Sequence, residues 1–280
     1  MSPSDQKKIL ITGSTDGLGR RVAEHLAAKG AILLLHGRNP EKGRRVLEEI
    51  RQQTGNDALH YYNANFSRLA DVHQLAAEID GDHQVVDILI NNAGLGAGPD
   101  TGNRETSVDG YELRFAVNYL APYLLTRKLL PQLRSAATQS GEARIVNVSS
   151  AAQQEIDFDD VMLEKRYDGM RAYAQSKLAL VMLTFDLAEE LKGSGVTVNA
   201  LHPASLMNTR MVREWFGNPR TSVDEGAEAV EHLALAKQLH GVSGEYFDQK
   251  NKTQAASQAY DMRARKILRE RTENWVGTLP

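Results

Sequence analysis

Short apolar runs recur along this chain with a longer segment of helical periodicity after almost every one, and few folds accept that alternation. The runs are residues 9–11, 32–35, 58–62, 86–90, 145–148 and 196–200, with a seventh at 244–247. The helical segments between them include 20–29, 41–53, 69–79, 111–130 and 171–192. Strands buried on both faces and joined by crossover helices read in this way, so the expected architecture is an α/β, doubly wound parallel sheet, a Rossmann fold, with helices on both faces.

No Pro/Ser-rich linker, low-complexity tract or internal repeat divides the 280 residues, so one domain over 1–280 is expected, with an N-terminal tail at 1–7 and a C-terminal extension at 253–280. Two irregular inserts, 151–170 and 204–221, each follow a predicted strand. Ligands in such sheets bind beyond the strands' carboxyl ends, which places both inserts beside a site, on its substrate side. Residues 253–273, rich in Arg, Glu and Ala, read as a solvated helix without a legible function.

After the first run comes Thr12-Gly13-Ser14-Thr15-Asp16-Gly17-Leu18-Gly19, opening a helix at Arg20. Glycines here permit a tight turn and close approach of backbone to a pyrophosphate, while the helix start offers free N–H groups. The second run ends Leu35-His36-Gly37-Arg38-Asn39. A carboxylate for a ribose 2′-hydroxyl is missing there, and Arg38 suits a 2′-phosphate, so NADP (NADPH) is favoured and NAD is less so. Arg20 is a second basic candidate.

In Arg171-Ala172-Tyr173-Ala174-Gln175-Ser176-Lys177, a phenol and an ammonium stand four apart on one helix face. A phenol works as an acid or base near neutrality only if a neighbouring cation stabilises its anion, a part Lys177 fits. Upstream, the strand 145–148 runs into Ser149-Ser150, placing a hydroxyl where it can meet a carbonyl oxygen.

Together these residues resemble the short-chain dehydrogenases/reductases over nearly the whole chain, through Thr12 to Gly19, Asn91-Asn92-Ala93-Gly94, Asn118, Ser150, and Tyr173 with Lys177. Asn147-Val148-Ser149-Ser150, the insert Glu164-Lys165-Arg166-Tyr167 and His202-Pro203 resemble the retinol-dehydrogenase-like branch. The resemblance implies an oxidoreductase that moves a hydride between a nicotinamide cofactor and an alcohol or carbonyl. It implies Tyr173 as proton donor or acceptor, Ser150 rather than Ser149 as the group polarising the oxygen, Lys177 lowering the tyrosine pKa and holding the ribose, and Asn118 completing a proton relay. For the cofactor it implies the loop residues Gly13, Ser14, Thr15, Asp16, Gly17, Leu18 and Gly19. Arg38-Asn39 and Asn65-Phe66 would stand at the adenosine end, Asn91, Ala93 and Gly94 along the wall, and Pro203 with Thr209 near the carboxamide. Asn65 stands where relatives usually carry Asp. Relatives pair through the helices at 111–130 and 171–192, implying a homodimer or homotetramer.

Met207, Met211, Val212, Trp215 and Phe216 in the second insert suit a lid over an apolar substrate. A net charge of −3 argues against nucleic acid as a partner. With no cysteine and eight scattered histidines, no metal is expected. No apolar run reaches the ~20 residues of a membrane span, and a cytoplasmic location is expected. Two rival readings use a similar sheet. A catalytically silent NADP(H)-binding sensor would not need Ser150, Tyr173 and Lys177 together, and an S-adenosylmethionine-dependent transferase would want an acid where Gly37-Arg38 stands.

Overall fold

The computed structural model describes residues 6–215 and 217–277, with the side chains of residues 210, 211 and 215 left aside. Eight strands form one sheet in the order β3-β2-β1-β4-β5-β6-β7-β8. They are β1 (Lys8–Ile11), β2 (Ile32–Gly37), β3 (Leu59–Asn63), β4 (Ile88–Asn91), β5 (Ala143–Val148), β6 (Val196–His202), β7 (Tyr246–Asp248) and β8 (Asn251–Thr253). The first seven pair in parallel, and β8 folds back antiparallel on β7. The strand order reverses between β1 and β4, so connections leave in opposite directions there and a crevice opens at the carboxyl ends.

Because side chains alternate across a strand, Ile9 and Ile11 enter one core and Leu10 the other. The first core lies under α1 (Gly17–Ala28), α2 (Pro40–Thr54) and α8 (Val223–Leu235); the second lies under α3 (Leu69–Asp82), α5 (Ala121–Ser140) and α6 (Gly169–Glu190). The expected 111–130 helix is composite: one α-turn, α4 (Leu113–Phe115), a π-helical turn at Ala116–Leu120, then α5. Helix α7 (Arg210–Trp215) sits in the second insert.

The C-terminal extension differs from the solvated helix expected. Strand β8 and a 3₁₀ turn at Ser257–Tyr260 precede α9 (Met262–Gly277), which buries Ala264, Arg265, Leu268 and Thr272. Arg265 reaches Asp186 and Glu189 of α6, and the Tyr119 hydroxyl bonds the Thr272 hydroxyl at 2.8 Å. The helix is therefore held against α6 and the π-helical turn. Among the described residues no helix is long and apolar enough to cross a membrane.

Candidate active site

The loop between β1 and α1 is packed too tightly for side chains. A Cβ on Gly13, whose φ is +66°, would lie 2.8 Å from the Ala93 Cα, and one on Gly19 would lie 2.4 Å from the Gly13 carbonyl oxygen. Asp16 caps α1 by accepting the Gly17 N–H and pairs with Lys42 at 2.5 Å. The first-turn N–H groups beyond it lack helical partners, which leaves a concave cradle for an anion.

Thr12, Asn92 and His36 brace this loop. The Asn92 amide donates to the carbonyls of Thr12 and Gly13, and the Thr12 hydroxyl accepts the N–H groups of Asn92 and Ala93. His36 accepts the Gly13 N–H on Nδ1 and donates from Nε2 to the Ala64 carbonyl, with its ring stacked on Phe66 at 4.3 Å. Burial pushes His36 down to about 4, so near neutrality the ring is uncharged. Lys42 joins the cleft wall beside Asp16.

Ser14 is fully buried and exchanges hydrogen bonds with the backbone of His36, so it braces the loop and does not line the cleft. Gly37 lies against the loop as well, since a Cβ there would meet Thr15 Cγ2 at 2.6 Å. Beyond it Arg38, Asn39, Asn65 and Phe66 line one end of the cleft. Arg38 is exposed, whereas Arg20 is engaged with Glu24 and Glu49 at 2.9 Å each and is absent from the cleft wall. Asn39 also caps α2, accepting the Lys42 N–H.

At the other end, β5 delivers Ser149 and Ser150. Ser149 donates to the Lys177 carbonyl, which ties it into α6, while the Ser150 hydroxyl accepts the Ala152 N–H at 3.1 Å and shares the cleft wall with Tyr173. Asp168 caps α6 through the Arg171 N–H, and Tyr173 and Lys177 follow within its first turns. Burial raises the Tyr173 pKa and the Ser150 hydroxyl opposes that rise. Lys177 does not deliver the lowering expected of it in this arrangement. Its ammonium donates to the Val148 carbonyl at 2.9 Å, lies 5.9 Å from the Tyr173 ring centre, and is itself pushed down to about 8 by burial.

Asn118 stands in the π-helical turn, a local widening that aims one side chain inward. Its amide exchanges two hydrogen bonds with the Leu95 backbone, at 2.7 and 2.8 Å, and donates to Ser176. It therefore fixes the loop after β4, beside Gly94. Asn91 is not brought to the cleft: it is buried beneath, bonded to Thr126 and Asn147. Of the Asn-Asn pair, the second residue takes the wall position together with Ala93 and Gly94.

Pro203 and Thr209 line the cleft near the glycine loop, with Met207 and Val212 along the second insert. The Thr209 methyl sits 3.4 Å from where a Gly17 Cβ would stand. Of the expected lid, Phe216 and the side chains of Met211 and Trp215 lie outside the described residues. The first insert is anchored by a buried group: Tyr167 donates to Glu112, Glu112 pairs with Arg114, and Arg114 donates to the Gly96 carbonyl. Charged residues read as surface in a sequence, so nothing there marked this pair.

All these walls enclose one cleft of about 1020 Å³, enough for a dinucleotide with a second small molecule at the Ser150 end. Arg38 at one end, the glycine cradle between and the phenol-ammonium pair at the other suit the adenosine, pyrophosphate and nicotinamide parts of a nicotinamide dinucleotide in that order.

Comparison with known proteins agrees. A family model described as short chain dehydrogenase matches residues 7–219. Retinol dehydrogenase 13 from Homo sapiens is 35% identical, over 97% of this chain and 85% of that protein. Polyprenol dehydrogenase from Homo sapiens is 31% identical, over 99% and 87%. Among solved structures, a 3-ketoacyl-(acyl-carrier-protein) reductase from Brucella melitensis complexed with NADH superposes with a TM-score of 0.70 at 28% identity, covering 86% of this chain and 96% of that one. A putative short chain dehydrogenase from Shigella flexneri complexed with NADP gives 0.69 at 26% identity, covering 87% and 97%.

Proposed function

Since the chain belongs to the short-chain dehydrogenase/reductase family, in its retinol-dehydrogenase-like branch, and is an oxidoreductase acting on CH–OH or C=O groups, we propose that it uses NADP(H) on an apolar alcohol or carbonyl substrate through Ser150, Tyr173 and Lys177. The observation that carries this reading is the meeting of Ser150 and Tyr173 on the wall of the glycine-lined cleft, with Lys177 one helical turn on.

The cofactor, when bound, supplies or accepts the hydride. In the reducing direction, Tyr173 gives its phenolic proton to the carbonyl oxygen as charge develops there, and the Ser150 hydroxyl donates a hydrogen bond to the same oxygen. Lys177, which donates to the Val148 carbonyl 5.9 Å from the Tyr173 ring centre, would hold the ribose of the bound cofactor and supply positive charge to the phenol. That charge stabilises the phenolate left after transfer. Asn118 holds the Leu95 backbone and so keeps the Gly94 wall open to the nicotinamide end. Oxidation runs through the same groups in reverse.

Arg38 supports NADP(H): its guanidinium is exposed on the cleft wall, with no carboxylate at position 37 to repel a phosphate. Leu95, Leu113, Val117, Met170, Met207 and Val212 give the cleft an apolar lining. The names of the two relatives, retinol and polyprenol dehydrogenase, point the same way. The test is consumption of NADPH and NADH across aldehydes and ketones of graded size and polarity, with Tyr173→Phe in parallel. NADPH-dependent turnover that falls by ~10²–10⁴ in Tyr173→Phe with cofactor affinity retained is the expected result. A variant keeping more than about a tenth of the turnover overturns the assignment.

A further inference from the structure

Residues 151–168 run from Ser150 to the start of α6 without helix or strand, yet Ile156 in their middle is buried. A buried backbone without a ladder needs other hydrogen-bond partners. They come from a segment more than a hundred positions later. The Gln258 side chain accepts the Ile156 N–H on Oε1 at 2.7 Å and donates from Nε2 to the Ile156 carbonyl at 3.1 Å. A primary amide carries one acceptor and one donor in nearly the geometry of a peptide unit, so a single glutamine side chain does here what a neighbouring strand would do.

Two further links reach Ser150, one from the same segment and one from β7. The Gln153 side chain donates to the Ser150 carbonyl at 2.9 Å, and its own oxygen accepts the Ala256 N–H at 2.9 Å. Tyr246 also donates to the Ser150 carbonyl at 2.9 Å. Farther along, Arg271 of α9 donates to the Phe158 carbonyl and lies 5.7 Å from that ring's centre. The 3₁₀ turn bearing Gln258 is fixed by the fully buried Ala259.

We infer that Gln258 is a positioning residue of the substrate site. Through Ile156 it holds the loop whose first residues, Ala151 and Ala152, wall the cleft beside Ser150, and so the C-terminal extension governs which substrates that wall admits. The inference rests on the proposed reaction for its kinetic arm only. Gln258→Ala removes both bonds. Gln258→Glu keeps the acceptor for the Ile156 N–H but sets a carboxylate against the Ile156 carbonyl, so it should be the more disruptive of the two.

The experiment pairs hydrogen exchange with steady-state kinetics on the full chain, for both variants and for Gln153→Ala. Expected are at least a tenfold loss of amide protection across residues 152–158 with unchanged protection in β5, and a KM for bulky carbonyls raised fivefold or more against less than twofold for small ones. NADPH affinity should stay within twofold. Unchanged protection at 152–158 overturns the clasp. So does a uniform loss of kcat, KM and cofactor binding for all substrates, which is what general destabilisation gives. Wild-type protein without Tyr173-dependent turnover overturns the proposed reaction instead, and the exchange arm then decides the clasp alone.

Discussion

The ring of His36 accepts the backbone N–H of Gly13 at 3.2 Å, so the end of β2 holds the turn that would receive a pyrophosphate. That bond requires an unprotonated Nδ1, and burial sets the pKa to about 4 against an ordinary 6.5. The folded state thus binds fewer protons than the unfolded one between those values. The stability in question is fully present above pH 6.5 and is lost as pH falls through about 4. Between pH 7 and 5 the His36 share is ~2 kcal/mol. In His36→Asn, which keeps an acceptor and does not titrate, urea unfolding midpoints should change less between these two pH values by that amount. Equal pH dependence in both proteins refutes the role.

Lys177 is costly where it stands. Its pKa is down to about 8 from 10.5, so below pH 8 the fold carries the full cost of a buried ammonium, relieved as pH rises toward 10.5. At pH 7 that cost is ~3 kcal/mol, offset in part by the bond to the Val148 carbonyl. Lys177→Met should therefore be inactive yet more stable than wild type without cofactor, by ~1–3 kcal/mol at pH 7. The gain should shrink by pH 10. Denaturation curves at both pH values check this, and a variant less stable than wild type at pH 7 contradicts it.

Arg38→Ala should separate the two cofactors. Loss of a charge-assisted contact of ~1.5–3 kcal/mol raises the KM for NADPH ~10–100-fold and leaves that for NADH within about twofold. An acid at position 37 is a poorer probe, because a Cβ there runs into Thr15 at 2.6 Å and shifts the glycine loop. Parallel changes for both cofactors would place the discrimination elsewhere on the cleft.

Glu112 is fully buried and raised in pKa by burial, with Arg114 3.6 Å away and nearly as buried. Replacing one member of a buried pair strands the other. Arg114→Met should cost ~3–5 kcal/mol, far more than the exposed pair Lys252–Glu245, whose Lys252→Ala should cost less than ~1 kcal/mol. Thermal unfolding of the two variants makes the comparison.

The sequence reveals the site where function demands unusual residues in short spans, and conceals it where function depends on distant partners. The glycine loop, Ser150 and the Tyr173–Lys177 spacing are local patterns. His36 as a brace for Gly13 is not, because 23 positions separate the two and nothing but the β1–β2 pairing joins them. Helix α8 carries a readable start signal in the Ser222–Glu225 capping box, just past the irregular insert. Strand β8 has no apolar alternation because it is an exposed edge. In α9 the buried face includes Arg265 and Thr272, so its stripe looks polar and predicts a solvated helix. The preference for Ser150 over Ser149 rests on the resemblance alone, since both serines line the cleft and both are hydrogen-bonded, Ser149 to the Lys177 carbonyl and Ser150 to the Ala152 N–H.

The antiparallel return at β8 and the turn after it carry a consequence for synthesis. Every strand bearing a glycine-loop or catalytic residue, and the helix bearing Tyr173 and Lys177, has left the ribosome before Gln258 is made. A nascent chain can thus possess its dinucleotide cradle while the segment after Ser150 is still without its last support. The wall beside Ser150 is therefore completed after the cradle in the order of synthesis.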